Sequence, residues 1–188
     1  MNTQKISYTA YPKLFLEAVI FVFYWLLGKR RDYYKADMLP NPEPQIWDLR
    51  YLEFQTHYAD IEKLKESYEK GKQTTSAFQS VIDFARKFKK PTILEVGFGR
   101  AGDLVAIKKE LKDVELYGVE PSNASLEIGR KISNLLDCGL NVLEGDAYHL
   151  PFHDKFFDIV FASQVFEHLL NPSDALKEQI RVIKMKGT

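Results

Sequence analysis

Cysteine is nearly missing from this chain, with Cys138 as the single example among 188 residues. One cysteine permits neither an intrachain disulfide nor a zinc site built on several thiolates. We expect Cys138 to be a small buried residue rather than a nucleophile, because no base stands near it in the sequence. Such cysteine usage is typical of a reducing compartment, which favours a cytoplasmic location.

An excess of charge of either sign is also missing, since 26 Lys and Arg residues balance 26 Asp and Glu residues. A zero net charge provides no general attraction to nucleic acid, so we expect no nucleic-acid partner. Basic clusters at residues 29–31 and 86–90 are interpreted as solvated helix ends.

The apolar run at residues 14–27 (LFLEAVIFVFYWLL) is too short to span a bilayer, which takes roughly 20 apolar residues. Basic residues 29–31 follow it directly, whereas small residues would mark the cleavage site of a signal peptide. Two interpretations of residues 14–31 remain open. The segment either contacts a membrane surface peripherally or forms a helix buried against the domain or a partner subunit.

The patterning divides the chain into three regions: an N-terminal extension over residues 1–45, a helical lead-in over residues 46–90 and an α/β domain over residues 91–188. In the lead-in, helical spacing over residues 47–70 stops at Gly71. We expect a second helix that is capped by a residue in the segment 74–76 and ended by Pro91.

From residue 92 onwards the sequence alternates between strand and helix patterns. Strands are predicted at residues 92–96, 115–119, 141–143 and 157–162, and helices at 101–111, 123–136, near 165–170 and at 173–185. Strands that are apolar on both faces, such as ILEV and DIVFAS, favour a parallel sheet covered by helices on both sides. The predicted fold is therefore a doubly wound, Rossmann-like α/β sheet with an N-terminal helical extension.

The segment TILEVGFGRAGDL, residues 92–104, predicts a strand, a glycine turn and the start of a helix. Glycine lets the backbone approach a ligand closely, and a helix N-terminus favours polar or anionic groups. The spacing Gly97-x-Gly99-x-x-Gly102 matches a dinucleotide fingerprint, and Glu120 at the end of the second strand can accept both hydroxyls of a ribose. This segment predicts a cofactor that contains a nucleoside.

Two further acids distinguish between nucleoside cofactors. Glu95 precedes the first glycine, where a carboxylate suits a cationic ligand better than a pyrophosphate. The third strand ends in EGDA, where Asp146 can accept a hydrogen bond from an adenine amino group. The next backbone N–H, at Ala147, can donate to the adenine ring.

Four segments, ILEVGFG, YGVEPS, GDAYHLPF and FDIVFASQVFEHL, follow one another in order. Through them residues 90–188 resemble the class I S-adenosylmethionine-dependent methyltransferases, in particular their small-molecule and lipid-quinone branch. The resemblance implies S-adenosylmethionine as the cofactor and methyl transfer to a small-molecule or lipid-like acceptor.

The resemblance also implies a role for individual residues. The glycine loop would surround the methionine part of the cofactor, with Glu95 near its amino group, while Glu120 would accept from the ribose. The full set of implied cofactor-binding residues is Glu95, Gly97, Gly99, Gly102, Glu120, Asp146, Ala147, Ser163 and Gln164.

His168 is the candidate general base, because it follows the fourth strand near the expected reactive end of the cofactor. A structural histidine bonded to backbone is the alternative that we favour. Neither a catalytic residue nor a metal ligand is assigned from the sequence.

The chain also departs from its relatives in places. Ala101 stands where a third glycine is frequent, so we expect the loop to differ in shape, and Gln164 stands where an acid or histidine is frequent. The chain ends in RVIKMKGT, before strands five to seven of the relatives. We expect a sheet that stops at strand four, with an open edge and apolar surface that the rest of a longer protein or an oligomeric partner would cover.

Two other functions stay open. A non-catalytic S-adenosylmethionine-binding fragment or assembly subunit is favoured by the missing strands. An NAD-dependent oxidoreductase is favoured only by the literal spacing of the glycines.

Overall fold

The structure is a computed structural model that describes residues 47–48, 51–52, 60–75 and 77–184. The interpretation of residues 14–31 lies outside the described residues, as does the whole of the predicted N-terminal extension. Within the described part of the chain, the helices are all too short or too polar to cross a membrane.

Helices and strands alternate as predicted from residue 92 onwards. In chain order the elements are α1 (Ile61–Glu69), α2 (Ala77–Ala85), β1 (Thr92–Val96), α3 (Gly102–Glu110), β2 (Glu115–Glu120), α4 (Asn123–Leu135), β3 (Leu140–Glu144), β4 (Ile159–Phe161), a 3₁₀ turn (Phe166–His168) and α5 (Pro172–Val182).

The four strands form one parallel sheet in the order β3-β2-β1-β4. Glu95 on β1 pairs with Phe161 on β4, and Glu120 at the end of β2 pairs with Glu144 on β3. The carboxyl ends of all four strands therefore lie at the same edge of the sheet. This arrangement confirms the predicted Rossmann-like fold.

Helices cover both faces of the sheet, since neighbouring residues of β1 point to opposite sides. Ile93 packs in a cluster with Ile82 of α2 and Leu104 of α3. Leu94 and the other residues on its side pack with Ala175 and Val182 of α5. Strand β1 is apolar in both directions because both of its faces are buried, which is the pattern seen in the sequence.

The lead-in packs directly on the α/β domain. The hydroxyl of Tyr68 donates to the carbonyl oxygen of Arg100, and Lys109 Nζ donates a 3.0 Å hydrogen bond to the carbonyl oxygen of Tyr68. Cys138 is buried beside α1 and α4, as expected, and burial raises the pKa of its thiol. The described lead-in is thus part of the same packed body as the sheet.

The helix predicted over residues 47–70 is confirmed only in part: residues 47–48, 51–52 and 61–69 are helical, but the chain is not helical at Asp60. Asp60 has an extended backbone, and its side chain accepts hydrogen bonds from the N–H groups of Glu62 and Lys63 at 3.0 and 3.3 Å, so a separate helix α1 begins there. Helix α1 does end near Gly71, which has a φ of +67°.

Helix α2 ends at Ala85 and not at Pro91, so the predicted end of this helix is wrong. The N–H of Phe88 bonds to the carbonyl oxygen of Ala85, an i to i+3 contact that tightens the chain into a turn. Its N-terminus agrees with the sequence, because the Thr75 hydroxyl accepts a 3.2 Å hydrogen bond from the Ala77 N–H. Ser76 lies outside the described residues.

Three elements after residue 150 are shorter than predicted. Strand β4 covers only Ile159–Phe161, because Phe157 pairs instead with Ile183, the residue that follows α5. The expected helix near residues 165–170 is a single 3₁₀ turn. Helix α5 starts one residue before the prediction and ends at Val182.

Two apolar side chains of α5 are exposed, while the expectation that a partner or further chain covers apolar surface at the open edge stays a prediction. Leu176 and Ile180, one turn apart on α5, are 49% and 52% exposed. Among the described residues, β4 has β1 as its neighbour on one side of the sheet and no strand on the other.

Candidate functional site

A cavity of about 800 Å³ opens at the carboxyl ends of the four strands. This edge is where ligands bind in doubly wound sheets. Every residue that the sequence predicted for the site lies in its wall: Glu95, Gly97, Gly99, Gly102, Glu120, Asp146, Ala147, Ser163, Gln164 and His168. The fold thus brings together residues from the ends of β1, β2, β3 and β4.

The turn after β1 depends on glycine at two positions. Gly97 and Gly99 have φ values of +74° and +52°, and a Cβ on Gly97 would lie 2.5 Å from Val165 Cγ2. Ala101 also adopts the left-handed conformation, with a φ of 58° and a ψ of 23°. Ala101 thus takes the backbone conformation that glycine favours, while the expected difference in loop shape from relatives remains a prediction.

Gly102 has a different reason to be glycine. A Cβ there would lie 1.7 Å from the carbonyl oxygen of Gln73, so the lead-in backbone runs directly over the start of α3. Gly102 lines the cavity, and its lack of a side chain brings the lead-in to the same wall.

Glu120 is buried at the end of β2 and faces the glycine loop. Its Oε2 accepts a 3.0 Å hydrogen bond from the backbone N–H of Gly99. Burial raises the pKa of Glu120 to about 7, although N–H groups of Gly99 and Ser122 favour the charged form. A carboxylate has about four acceptor positions, so Glu120 keeps capacity for ligand hydroxyls.

Glu95 is 3% exposed, and its Oε2 has no hydrogen-bond partner among the described residues. Burial is the main reason that its pKa is raised well above the usual range, and the nearby carboxylates of Asp103 and Glu120 add to this effect. Among the described residues, Glu95 forms neither an ion pair with a lysine nor a helix cap. A buried acid without a partner in a cavity wall is suited to a cationic ligand group.

Asp146 stabilises a turn after β3. Its Oδ1 accepts hydrogen bonds from the N–H groups of Tyr148 and His149 at 2.6 and 2.9 Å. Asp146 therefore has a structural role in the turn, while its role in holding adenine remains a prediction. Ala147, which is buried beside Asp146, also lines the cavity.

Sequence reasoning missed Asp103 and the partner that holds it. Asp103 is 2% exposed in the first turn of α3, and both of its oxygens accept hydrogen bonds from Thr75. The Thr75 hydroxyl in turn accepts a 3.0 Å hydrogen bond from Ser163 Oγ. An acid directly after Gly102, in the first turn of a helix, was the available signal.

An aromatic side of the cavity was also missed. Trp47 packs edge-on against His168, with ring centroids 5.1 Å apart, and stacks on Tyr51 with centroids 6.5 Å apart. These contacts join the lead-in to the 3₁₀ turn after β4. His168 lies in the cavity wall as expected, and the role of its ring as a base remains a prediction.

Relatives of this chain include named methyltransferases. An uncharacterized methyltransferase of Schizosaccharomyces pombe is 37% identical over 104 residues, which cover 50% of this chain and 37% of that protein. The demethylmenaquinone methyltransferase of Thermotoga maritima is 29% identical over 107 residues, which cover 57% of this chain and 45% of that protein. The chain thus spans less than half the length of these two relatives.

A solved SAM-dependent methyltransferase from Aquifex aeolicus has the same fold, with a TM-score of 0.52 at 22% identity over 66% of this chain and 68% of that chain. The sequence profile of the methyltransferase-domain family matches residues 94–188. That match covers the glycine loop, the acids at the strand ends and the segment around His168. This chain belongs to the methyltransferase-domain family.

Proposed function

We propose that the cavity binds S-adenosylmethionine and that the chain serves methyl transfer to a small-molecule or lipid-like acceptor. The observation that carries the proposal is the pair of buried acids, Glu95 and Glu120, at the ends of neighbouring strands beside one glycine loop. Nucleotides that carry a pyrophosphate would place negative charge in this region. A nucleoside with a positively charged, non-phosphate tail suits it better.

The residues present fit such a cofactor. Glu95 Oε2, a buried acceptor without a partner, suits the ammonium of an amino acid. Gly97 and Gly99 provide backbone that a ligand can approach where a side chain would intrude. Glu120 retains acceptor capacity for hydroxyl groups.

The strand order supports a proposed position for each part of the cofactor. Asp146 and Ala147 after β3 would hold the purine, and Glu120 at the end of the adjacent β2 would hold the ribose. Glu95 and the glycine loop, on β1, would then hold the amino-acid part. Since neighbouring strands lie about 4.8 Å apart, one extended molecule reaches across these strand ends.

When bound, S-adenosylmethionine supplies a methyl group on a positively charged sulfur, which leaves as a neutral thioether. The protein therefore needs no covalent nucleophile. Its residues have to hold donor and acceptor in line and keep water out of the cavity. Trp47 and Tyr51, which line the cavity on the side of the lead-in, would serve the second purpose.

An acceptor would enter beside Trp47 and His168, the part of the wall that the cofactor's implied contacts leave open. Aromatic lining suits an apolar or planar acceptor. His168 can act as a general base where the acceptor is a hydroxyl or an amine. The relative that is named a demethylmenaquinone methyltransferase supports the lipid-like class.

Peripheral membrane contact through residues 14–31 stays part of this proposal, as does oligomerisation through the open edge of the sheet. Flotation with anionic vesicles tests the first. Protein that remains in the soluble fraction would contradict it.

Titration calorimetry with S-adenosylhomocysteine and with NAD tests the proposed cofactor. We expect saturable binding of S-adenosylhomocysteine at one site and no heat of binding with NAD. Binding of NAD alone would instead support the oxidoreductase alternative that the glycine spacing left open.

A further inference from the structure

Thr75 joins three separate parts of the cavity wall. Its backbone N–H donates a 2.6 Å hydrogen bond to Asp103 Oδ1, and its hydroxyl donates to Asp103 Oδ2. The same hydroxyl accepts a 3.0 Å hydrogen bond from Ser163 Oγ. One threonine of the lead-in therefore connects the first turn of α3 to the end of β4.

This bridge holds a short segment, residues 72–75, against the cavity. We name it the lead-in loop, and all four of its residues line the cavity. The carbonyl oxygen of Gln73 lies over Gly102, where any side chain would collide with it. The loop is thus positioned from both sides, by close packing on Gly102 and by the buried carboxylate of Asp103.

The loop lies at the β1 and β4 end of the cavity. The acids that suit the ribose and the purine lie in the other direction, on β2 and β3. An amino acid carries an ammonium and a carboxylate. Glu95 suits the ammonium, and Lys72 on the lead-in loop brings a positive charge to the same cavity for the carboxylate.

We propose that the lead-in loop is the wall that receives the amino-acid end of the cofactor, and that Thr75 and Asp103 are positioning residues that hold it there. This inference rests on the proposed function, because it assigns a place to one part of the proposed cofactor. It predicts that damage to the bridge affects only ligands that carry the amino-acid part.

Two ligands separate that effect from general damage. S-Adenosylhomocysteine contains the nucleoside and the amino acid, whereas 5′-methylthioadenosine contains the nucleoside without the amino acid. We expect Thr75→Val, which removes the bridging hydroxyl at nearly constant volume, to weaken S-adenosylhomocysteine binding about three- to tenfold. The affinity of Thr75→Val for 5′-methylthioadenosine should stay within about twofold of the wild type. Thr75→Ser should restore the wild-type affinity for S-adenosylhomocysteine.

Thr92→Val is the matched control. The Thr92 hydroxyl donates a 2.8 Å hydrogen bond to Asp158 Oδ2 at the opposite end of β1, away from the cavity. This variant loses the same type of bond, so both ligands should bind as they do to the wild type. If Thr75→Val does not fold, Asp103→Asn, which removes the charged acceptor of the bridge, provides the same comparison.

Equal weakening of both ligands by Thr75→Val would overturn the inference, because the bridge would then be merely structural. Unchanged binding of both ligands would overturn it as well. Failure of the wild type to bind S-adenosylhomocysteine would instead refute the proposed function itself. The two failures are therefore distinguishable.

Discussion

The backbone N–H of Gly99 donates a 3.0 Å hydrogen bond to Glu120 Oε2, across 21 residues of sequence. The bond joins the turn after β1 to the last residue of β2. A buried carboxylate thus shapes the glycine loop and at the same time faces the cavity. Changes at Glu120 should consequently affect both ligand binding and stability.

Replacement of Glu120 by alanine should weaken S-adenosylhomocysteine binding by about 1–3 kcal/mol, because ligand hydroxyls lose their acceptor. The affinity of 5′-methylthioadenosine should fall by a similar amount, since it carries the same ribose. Glu127→Ala, which removes an exposed acid of α4, is the matched control. Calorimetry that finds Glu120→Ala and Asp146→Ala both equal to the wild type would refute the site.

Stability should fall as the pH rises from 5 to 8. The pKa of Glu120 is about 7 in the folded protein, against an ordinary value of 4.5, so the folded state keeps a proton that the unfolded chain has lost. This contribution is complete below pH 4.5 and disappears as the pH rises through 7, a loss of about 3 kcal/mol. Urea unfolding of Glu120→Gln should show a flatter pH profile, and identical profiles would contradict the assignment.

Glu95→Gln should raise stability and lower affinity together. Burial and neighbouring acids raise the pKa of Glu95, so its stabilising contribution is lost as the pH rises, and a glutamine does not titrate. We expect a higher free energy of unfolding than the wild type at pH 8, with a smaller difference at pH 5. Binding of S-adenosylhomocysteine should weaken about tenfold, since an ammonium loses its charged acceptor. If Glu95→Gln weakened binding of 5′-methylthioadenosine as much as binding of S-adenosylhomocysteine, this would argue against a role of Glu95 in binding the ammonium.

Asp146 allows its turn role and its ligand role to be separated. Asp146→Asn keeps an oxygen that can accept from the N–H groups of Tyr148 and His149, but it turns an amide nitrogen toward the cavity. We expect stability within about 0.5 kcal/mol of the wild type and roughly tenfold weaker binding of both adenosine ligands. Asp146→Ala should lose stability as well. If Asp146→Asn bound both adenosine ligands with wild-type affinity, the ligand role would be refuted and only the role in the turn would remain.

Gly102→Ala should destabilise the protein by about 2–3 kcal/mol, because its Cβ would lie 1.7 Å from the carbonyl oxygen of Gln73. Gly139→Ala is the control, since it adds strain at a φ of +62° without any atom within 4 Å. That control should cost only about 1 kcal/mol. A urea unfolding series that ranks Gly139→Ala as the more damaging change would contradict the packing argument.

Much of the site could be predicted because its residues follow strands whose apolar patterns can be recognised in the sequence. Glu95, Glu120 and Asp146 each stand at or just beyond the end of an apolar segment, and parallel strands end at one edge. The glycines could be recognised as a turn because they directly follow the first of these strands. What could not be predicted were the contacts of the lead-in, because helical spacing shows which face is apolar but not what it covers.

Strand lengths near the end of the chain were also beyond sequence reasoning. The sequence pattern predicts that Phe157 lies in a strand. Its N–H bonds instead to the carbonyl oxygen of Val182, a residue of α5. Apolar content shows that a segment is buried, whereas the choice of hydrogen-bond partner depends on distant chain. This is a case in which tertiary context overrides local propensity.

By itself, the sequence determined the alternation of strands and helices, the glycine turn and the acids at the strand ends, because these depend on residue order and periodicity. Only the tertiary structure decided that Thr75 would bridge Asp103 and Ser163 and that Trp47 would contact His168. These contacts join residues that are far apart in the chain. Their geometry follows from how the lead-in packs on the sheet, which no local pattern encodes.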